Sequence, residues 1–188
     1  MDGKGFAAQP RDRRTILKLG AGMAAAGGMA LAGLSPAKAA VGERSLSFYN
    51  LHTGESLKTV YWAEGRHLPE SLSQINWLLR DFRTSQVLPI DVGLLDLIHR
   101  VRASLGSTEP FHVISGYRSP HTNAMLASHS HNVARRSLHV VGEAIDVRLP
   151  GCQLRDLHKA AVRLRGGGVG YYPHSDFVHM DVGRVRYW

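Results

Sequence analysis

A single cysteine, Cys152, stands in the 188-residue chain, so no intramolecular disulfide can form in any compartment. Packing, helped or not by a metal, must hold the fold. Cys152 follows Pro150-Gly151 with no basic neighbour and no partner thiol, which makes it a small buried residue and not a nucleophile. Basic runs interleaved with aromatics are lacking too, which removes the mark of a nucleic-acid binder. No apolar run reaches the roughly 20 residues a bilayer requires. The longest candidate, Leu19 to Leu34, is shorter and is diluted by five glycines. No internal repeat and no long linker interrupts the remainder.

What is present at the amino terminus reads as an address. Arg13-Arg14 precedes a weakly apolar Ala/Gly/Leu/Met run and the small-residue pattern Ala37-Lys38-Ala39. Those are the three regions of a secretory signal, and Asp12-Arg13-Arg14-Thr15-Ile16-Leu17-Lys18 resembles the twin-arginine export motif. The expectation is a signal over residues 1–40, cleavage near Ala39 or Ala40, passage through the twin-arginine translocase, and a periplasmic domain over residues 41–188. That route carries proteins that have already folded. The membrane is then met only through the signal segment. The formal charge of +8 also shrinks, because residues 1–39 hold six Lys/Arg and two Asp/Glu, leaving 17 against 13. A surplus of that size assists attraction to an anionic polymer such as the bacterial wall without defining a partner.

In the remaining 150 or so residues, one domain's worth, local patterns alternate between strand and helix. Arg44 to Trp62 carries two β-branched and aromatic runs around His52-Thr53-Gly54-Glu55, a hairpin signal. Leu72, Ile75, Leu78, Leu79 and Phe82 have helical spacing after Pro69, and a second helix follows Asp91 toward Gly106. Phe111 to Gly116 reads as a strand, then a turn at Arg118-Ser119-Pro120, a helix toward Ala127 and a polar loop over 128–136. Strands over 143–149, 169–172 and 177–182 and a helix over 153–165 complete the chain. The class is α+β, with an N-terminal hairpin and helices packed on a small antiparallel sheet.

Two of those strands carry polar side chains at alternate positions. If Ile145 and Val147 face the core, Asp146 faces away from it; in FVHMDV the same test puts Val178, Met180 and Val182 on one face and Phe177, His179 and Asp181 on the other. Neighbouring strands would then present Asp146 and His179 side by side, with His139 entering from the loop before Gly142. Two histidines and a carboxylate suit Zn2+, and three protein ligands leave one position open, as a catalytic site requires. A metal there would lower a water's pKa toward about 7 and polarise a scissile carbonyl, so a hydrolase is implied. With 11 histidines in the chain, however, a His-to-Asp spacing of seven carries little by itself.

The pattern S-x-H-x-x-G-x-A-x-D, matched by Ser137, His139, Gly142, Ala144 and Asp146, is similar to the zinc motif of the D-alanyl-D-alanine metallopeptidases, which share their fold with lysostaphin-type enzymes and the hedgehog signalling domain. NLHTGE (50–55), SGYRS (115–119), TN (122–123), GGVGYYP (167–173), FVH (177–179) and the closing R-x-W (186–188) resemble the periplasmic murein endopeptidases of that group. The resemblance implies a hedgehog-like α+β fold, one Zn2+ per chain on His139, Asp146 and His179, and Arg118 steadying the oxyanion. It implies peptidoglycan cross-linked stem peptides as substrate, with the diaminopimelate–diaminopimelate link ahead of the D-alanyl–diaminopimelate link or carboxypeptidase trimming. Relatives carry E-x-x-H or H-x-H at the last ligand, whereas this chain has Asp176-Phe177-Val178-His179. Asp176 is the candidate general base, although strand parity turns it away from His179 unless the strand begins only at Phe177, and His174 is the substitute. A domain that keeps the cleft but lacks a competent base would be a wall-binding module. Asp181 is either an outer partner orienting a ligand's ring or a plain sheet carboxylate. His129 and His131 read as loop residues, and Tyr171, Tyr172 and Trp188 as core or rim aromatics.

Overall fold

Residues 42–129 and 133–188 are described by a computed structural model of the chain. The expected export signal, its expected cleavage point and His131 lie outside them. The hairpin forms as its turn chemistry directs: β1 (Arg44–Asn50) pairs antiparallel with β2 (Ser56–Ala63), and a short β3 (Arg66–His67) follows. Then come α1 (Pro69–Leu78), α2 (Val92–Ser104), β4 (Phe111–Ser115) and α3 (Pro120–His129). A 3-10 turn at Leu138–Val141 leads into β5 (Ala144–Arg148) and α4 (Leu154–Leu164). The chain closes with β6 (Gly168–Tyr172), a 3-10 turn at Pro173–Ser175, β7 (Phe177–Asp181) and β8 (Arg186–Tyr187).

The α+β class holds, but the sheet is neither small nor antiparallel throughout. Among the described residues it has eight strands in the order β3-β2-β1-β4-β5-β7-β6-β8, and the pairs β1–β4 and β6–β8 are parallel. The hairpin was expected to stand apart with the helices. Instead β1 buries Leu46, Phe48 and Asn50 on alternate positions, and α1 and α2 form the crossover that lets β4 lie parallel beside it.

Alternation in the strands and 3.6-residue spacing in the helices meet on one side of the sheet. Ile145, Val147, Val178 and Met180 are fully buried there against Leu97, Ile98 and Leu157 of α2 and α4. Each such side chain contributes about 1.5–3 kcal/mol by leaving water. Helix α2 starts cleanly because the Asp91 carboxylate accepts from the Leu94 amide at 3.1 Å. Helix α1 stops at Leu78, four residues short of Phe82: the Leu79 carbonyl accepts from the Tyr117 amide, and Phe82 stacks on His52 with ring centroids 3.9 Å apart. The opposite side of the sheet carries Asp146 and His179, with the Leu138–Val141 turn packed on β5.

Candidate metal centre

Antiparallel register sets two of the donors. Asp146 on β5 pairs directly with His179 on β7, flanked by the core pairs Ile145–Met180 and Val147–Val178. Residues directly opposite share a face, so both polar side chains leave the core together. The third donor arrives on the 3-10 turn, which ends at Gly142 with φ +75°. A Cβ at Gly142 would lie 2.5 Å from the Pro89 carbonyl oxygen, so only glycine closes the turn in this position. His139 is thereby held with 2% of its surface exposed.

The donor atoms converge. His139 Nε2 lies 3.2 Å from Asp146 Oδ1 and 3.3 Å from His179 Nδ1, and the last two are 2.8 Å apart. A tetrahedral ion with bonds of about 2.0–2.1 Å separates its donors by about 3.3 Å, so the triangle fits a divalent ion with small outward adjustment. Each donor is also aimed from behind. His139 Nδ1 sits 2.7 Å from the Gly116 carbonyl, which can only accept, so Nδ1 carries the proton and the Nε2 lone pair is free. His179 Nε2 donates to Asp181 Oδ2 at 3.0 Å, leaving Nδ1 toward the other donors. Asp181 is fully buried and accepts from the Gly168 and Gly183 amides, each at 2.9 Å, and from both terminal nitrogens of Arg186. Arg118 donates from one terminal nitrogen to Asp146 Oδ2 at 2.9 Å and from Nε to the Ser115 hydroxyl at 3.1 Å.

Charge follows from these contacts. Burial pushes the Asp146 carboxyl up, but the imidazoles of His139 and His179 outweigh it and hold the group well below the carboxylate range. Burial lowers His139, which favours the neutral ring a metal needs. Burial also lowers His179, yet hydrogen bonds to Asp146 and Asp181 prevail and raise it to about 9. Cys152 is half-buried, its thiol pushed up by burial and then by Asp156, as befits an unreactive residue.

A cavity of about 280 Å³ opens over the three donors. One wall is aromatic: Tyr172 and Phe177 stack with centroids 4.6 Å apart, and the Trp188 indole donates to the Tyr172 hydroxyl at 2.7 Å. Gly170 permits this, since a Cβ there would fall 2.7 Å from the indole. Tyr172 and Trp188 therefore belong to the rim, while Tyr171 packs against His158 of α4.

Of the residues singled out in the sequence, His139, Asp146, His179 and Arg118 come together, and Asp181 takes the outer position. Asp176 does not line the cavity, although Ser175 and Phe177 on either side of it do. It has φ +52° and ends the turn before β7, so the strand begins at Phe177 and parity no longer governs its side chain. Its carboxylate accepts from Arg148 at 2.7 Å. Arg148 stands two residues beyond Asp146 on the same face of β5, which keeps Asp176 on the donors' side of the sheet. His174 is exposed and outside the cavity lining, and His129 bonds back to the Met125 carbonyl within α3. Two features escaped the sequence reading: the Gly116 carbonyl behind His139, and Asp81, whose carboxylate accepts from the Ser119 amide at 2.9 Å and braces the segment bearing Arg118.

A model of the family described as peptidoglycan L,D-endopeptidase MepK matches residues 38–188. The chain belongs to that family. The peptidoglycan L,D-endopeptidase MepK of Escherichia coli is 43% identical over 145 residues, covering 77% of this chain and 80% of that protein. The probable peptidoglycan L,D-endopeptidase MepK of Haemophilus influenzae is 42% identical over 146 residues, covering 77% of this chain and 78% of that one. The span matched by the MepK model contains all three donors and the whole cavity above them.

Proposed function

We propose that this MepK-family chain is a zinc-dependent peptidoglycan L,D-endopeptidase with a hedgehog-type fold. The observation that carries the reading is the convergence of His139 Nε2, Asp146 Oδ1 and His179 Nδ1 on the floor of an open cavity. A zinc ion held by those atoms would supply Lewis acidity, drawing a water's pKa toward about 7 and polarising the scissile carbonyl.

The chain's own residues supply the rest. Asp146 Oδ2 and Ser115 Oγ fix the Arg118 guanidinium, so its remaining N–H groups are set in advance for the oxygen that gains charge as the carbonyl becomes tetrahedral. Asp176 is the base that accepts the attacking water's proton and returns it to the leaving amine. Reaching the cavity requires it to leave Arg148, and its exposed turn position leaves it room to swing. The aromatic wall shields the bond under attack. Of the two cross-links, the diaminopimelate–diaminopimelate bond joins an L-centre carbonyl to a D-centre amine, whereas the D-alanyl–diaminopimelate bond joins two D-centres. The L,D designation of the relatives supports the first. Export over residues 1–40 by the twin-arginine translocase places the enzyme in the periplasm, where its substrate is.

Digestion of muropeptides of defined linkage, with and without chelator, tests the reading, the product mass naming the bond. Metal-dependent cleavage is expected. Metal retained with no product would leave a binding module. Asp176→Asn should lower kcat by about 10²- to 10⁴-fold with metal content intact; an unchanged kcat would move the base to another residue, His174 being the next candidate.

A further inference from the structure

Three arginines line the cavity, Arg118, Arg136 and Arg186, and among the described residues Asp146 is its one lining carboxylate. Two of the three are spoken for within the protein. Arg118 is bonded to Asp146 at 2.9 Å, and Arg186 grips Asp181 at 2.7 Å. No carboxylate among the described residues pairs with Arg136, which is exposed at the cavity mouth.

The backbone that carries Arg136 is fixed. Asn123 of α3, 4% exposed, donates from its amide to the carbonyls of Ala134 at 3.2 Å and Arg135 at 3.3 Å, the two residues immediately before Arg136. Helix α3 is itself tied down where it begins, through Ser119 and Asp81. One segment therefore sends Arg118 to the donors and Asn123 to the loop just before Arg136, so the backbones that bear the two arginines keep a set relation across the cavity. That gives Asn123 a role which the zinc site does not.

We infer that Arg136 is a specificity residue that binds a free carboxylate of the stem peptide beside the scissile bond. The inference rests on the endopeptidase reading and deepens it. In both cross-links the leaving amine is borne by a carbon that also carries a carboxylate, so every productive substrate brings an anion to within two bonds of the reacting nitrogen. A guanidinium fork meets a carboxylate with two parallel hydrogen bonds, and an arginine without an internal partner loses none in doing so.

The experiment compares two cross-linked muropeptide dimers, one with free diaminopimelate carboxyl groups and one with those groups amidated, cut by the metal-loaded protein. The unaltered protein should cut the free acid about tenfold more efficiently in kcat/KM. Arg136→Gln should cut the two alike, with the loss on the free acid carried by KM, and with metal content and circular dichroism matching the unaltered protein. Arg136→Lys should keep part of the preference, because a point charge lacks the fork. Retention of the full preference in Arg136→Gln, or its absence in the unaltered protein, overturns the inference while leaving the peptidase reading intact. Failure of the metal-loaded protein to cut either dimer removes the peptidase reading, and the inference with it.

Discussion

His179 is gripped from both ends of its ring, Nδ1 facing the other donors and Nε2 held by a fully buried carboxylate. Such an outer partner fixes ring orientation and keeps the inner lone pair directed at the ion. Asp181→Asn retains an oxygen for the Gly168 and Gly183 amides but loses the charge that holds His179 and Arg186. Metal affinity should fall about 10- to 100-fold, read by competition with a chromophoric chelator; an unchanged affinity would make Asp181 a purely structural anchor. At this scale much was legible in advance. Alternation alone put Asp146, His179 and Asp181 on the face away from Ile145 and Met180. The Gly116 carbonyl behind His139 was not legible, because a backbone acceptor 23 residues away leaves no mark on side-chain identity.

Among the elements, the stretch after α1 does more than connect. The Leu79 carbonyl accepts from the Tyr117 amide, and Asp81 accepts from the amides of Ser119 and Arg83, so a loop braces the strand-to-helix turn that carries Arg118. Burial by itself would raise the Asp81 carboxyl, but hydrogen bonds from Ser119 lead a set that lowers it to about 2. The folded value is below the unfolded value of about 3.9, so the stabilisation is complete above pH 4 and fades as pH falls toward 2. Asp81→Asn should cost about 1–2 kcal/mol near neutrality and flatten the acid limb of the stability profile between pH 4 and 2, measured by urea denaturation. An acid limb of unchanged steepness would acquit Asp81. Helix spacing in the sequence ran on to Phe82 because an apolar residue at the right interval looks the same whether it faces the core or, as here, stacks on His52. The parallel β1–β4 pairing was also out of reach, since strand neighbours across a two-helix crossover are set by where α1 and α2 pack, not by either strand's composition.

Viewed whole, the molecule separates its sources of stability from its chemistry. Helices α1, α2 and α4 bury the apolar core on one side of the sheet, and the donors occupy the other, where His179 Nδ1 lies within hydrogen-bonding reach of both Asp146 Oδ1 and His139 Nε2. Stripping the metal should therefore leave far-UV circular dichroism and a cooperative melt in place. Added zinc should raise Tm progressively, by about 2.7 kcal/mol of binding free energy at a hundredfold excess over Kd. Collapse of the dichroism on chelation would mean that the ion is structural. The same-rung placement of Asp146 and His179 has a last consequence. Because a ladder repeats every two residues, the loop that delivers His139 can lengthen or change without disturbing the other pair, but one residue added within β5 ahead of Asp146 would rotate that carboxylate into the oily layer and dismantle the centre at a stroke.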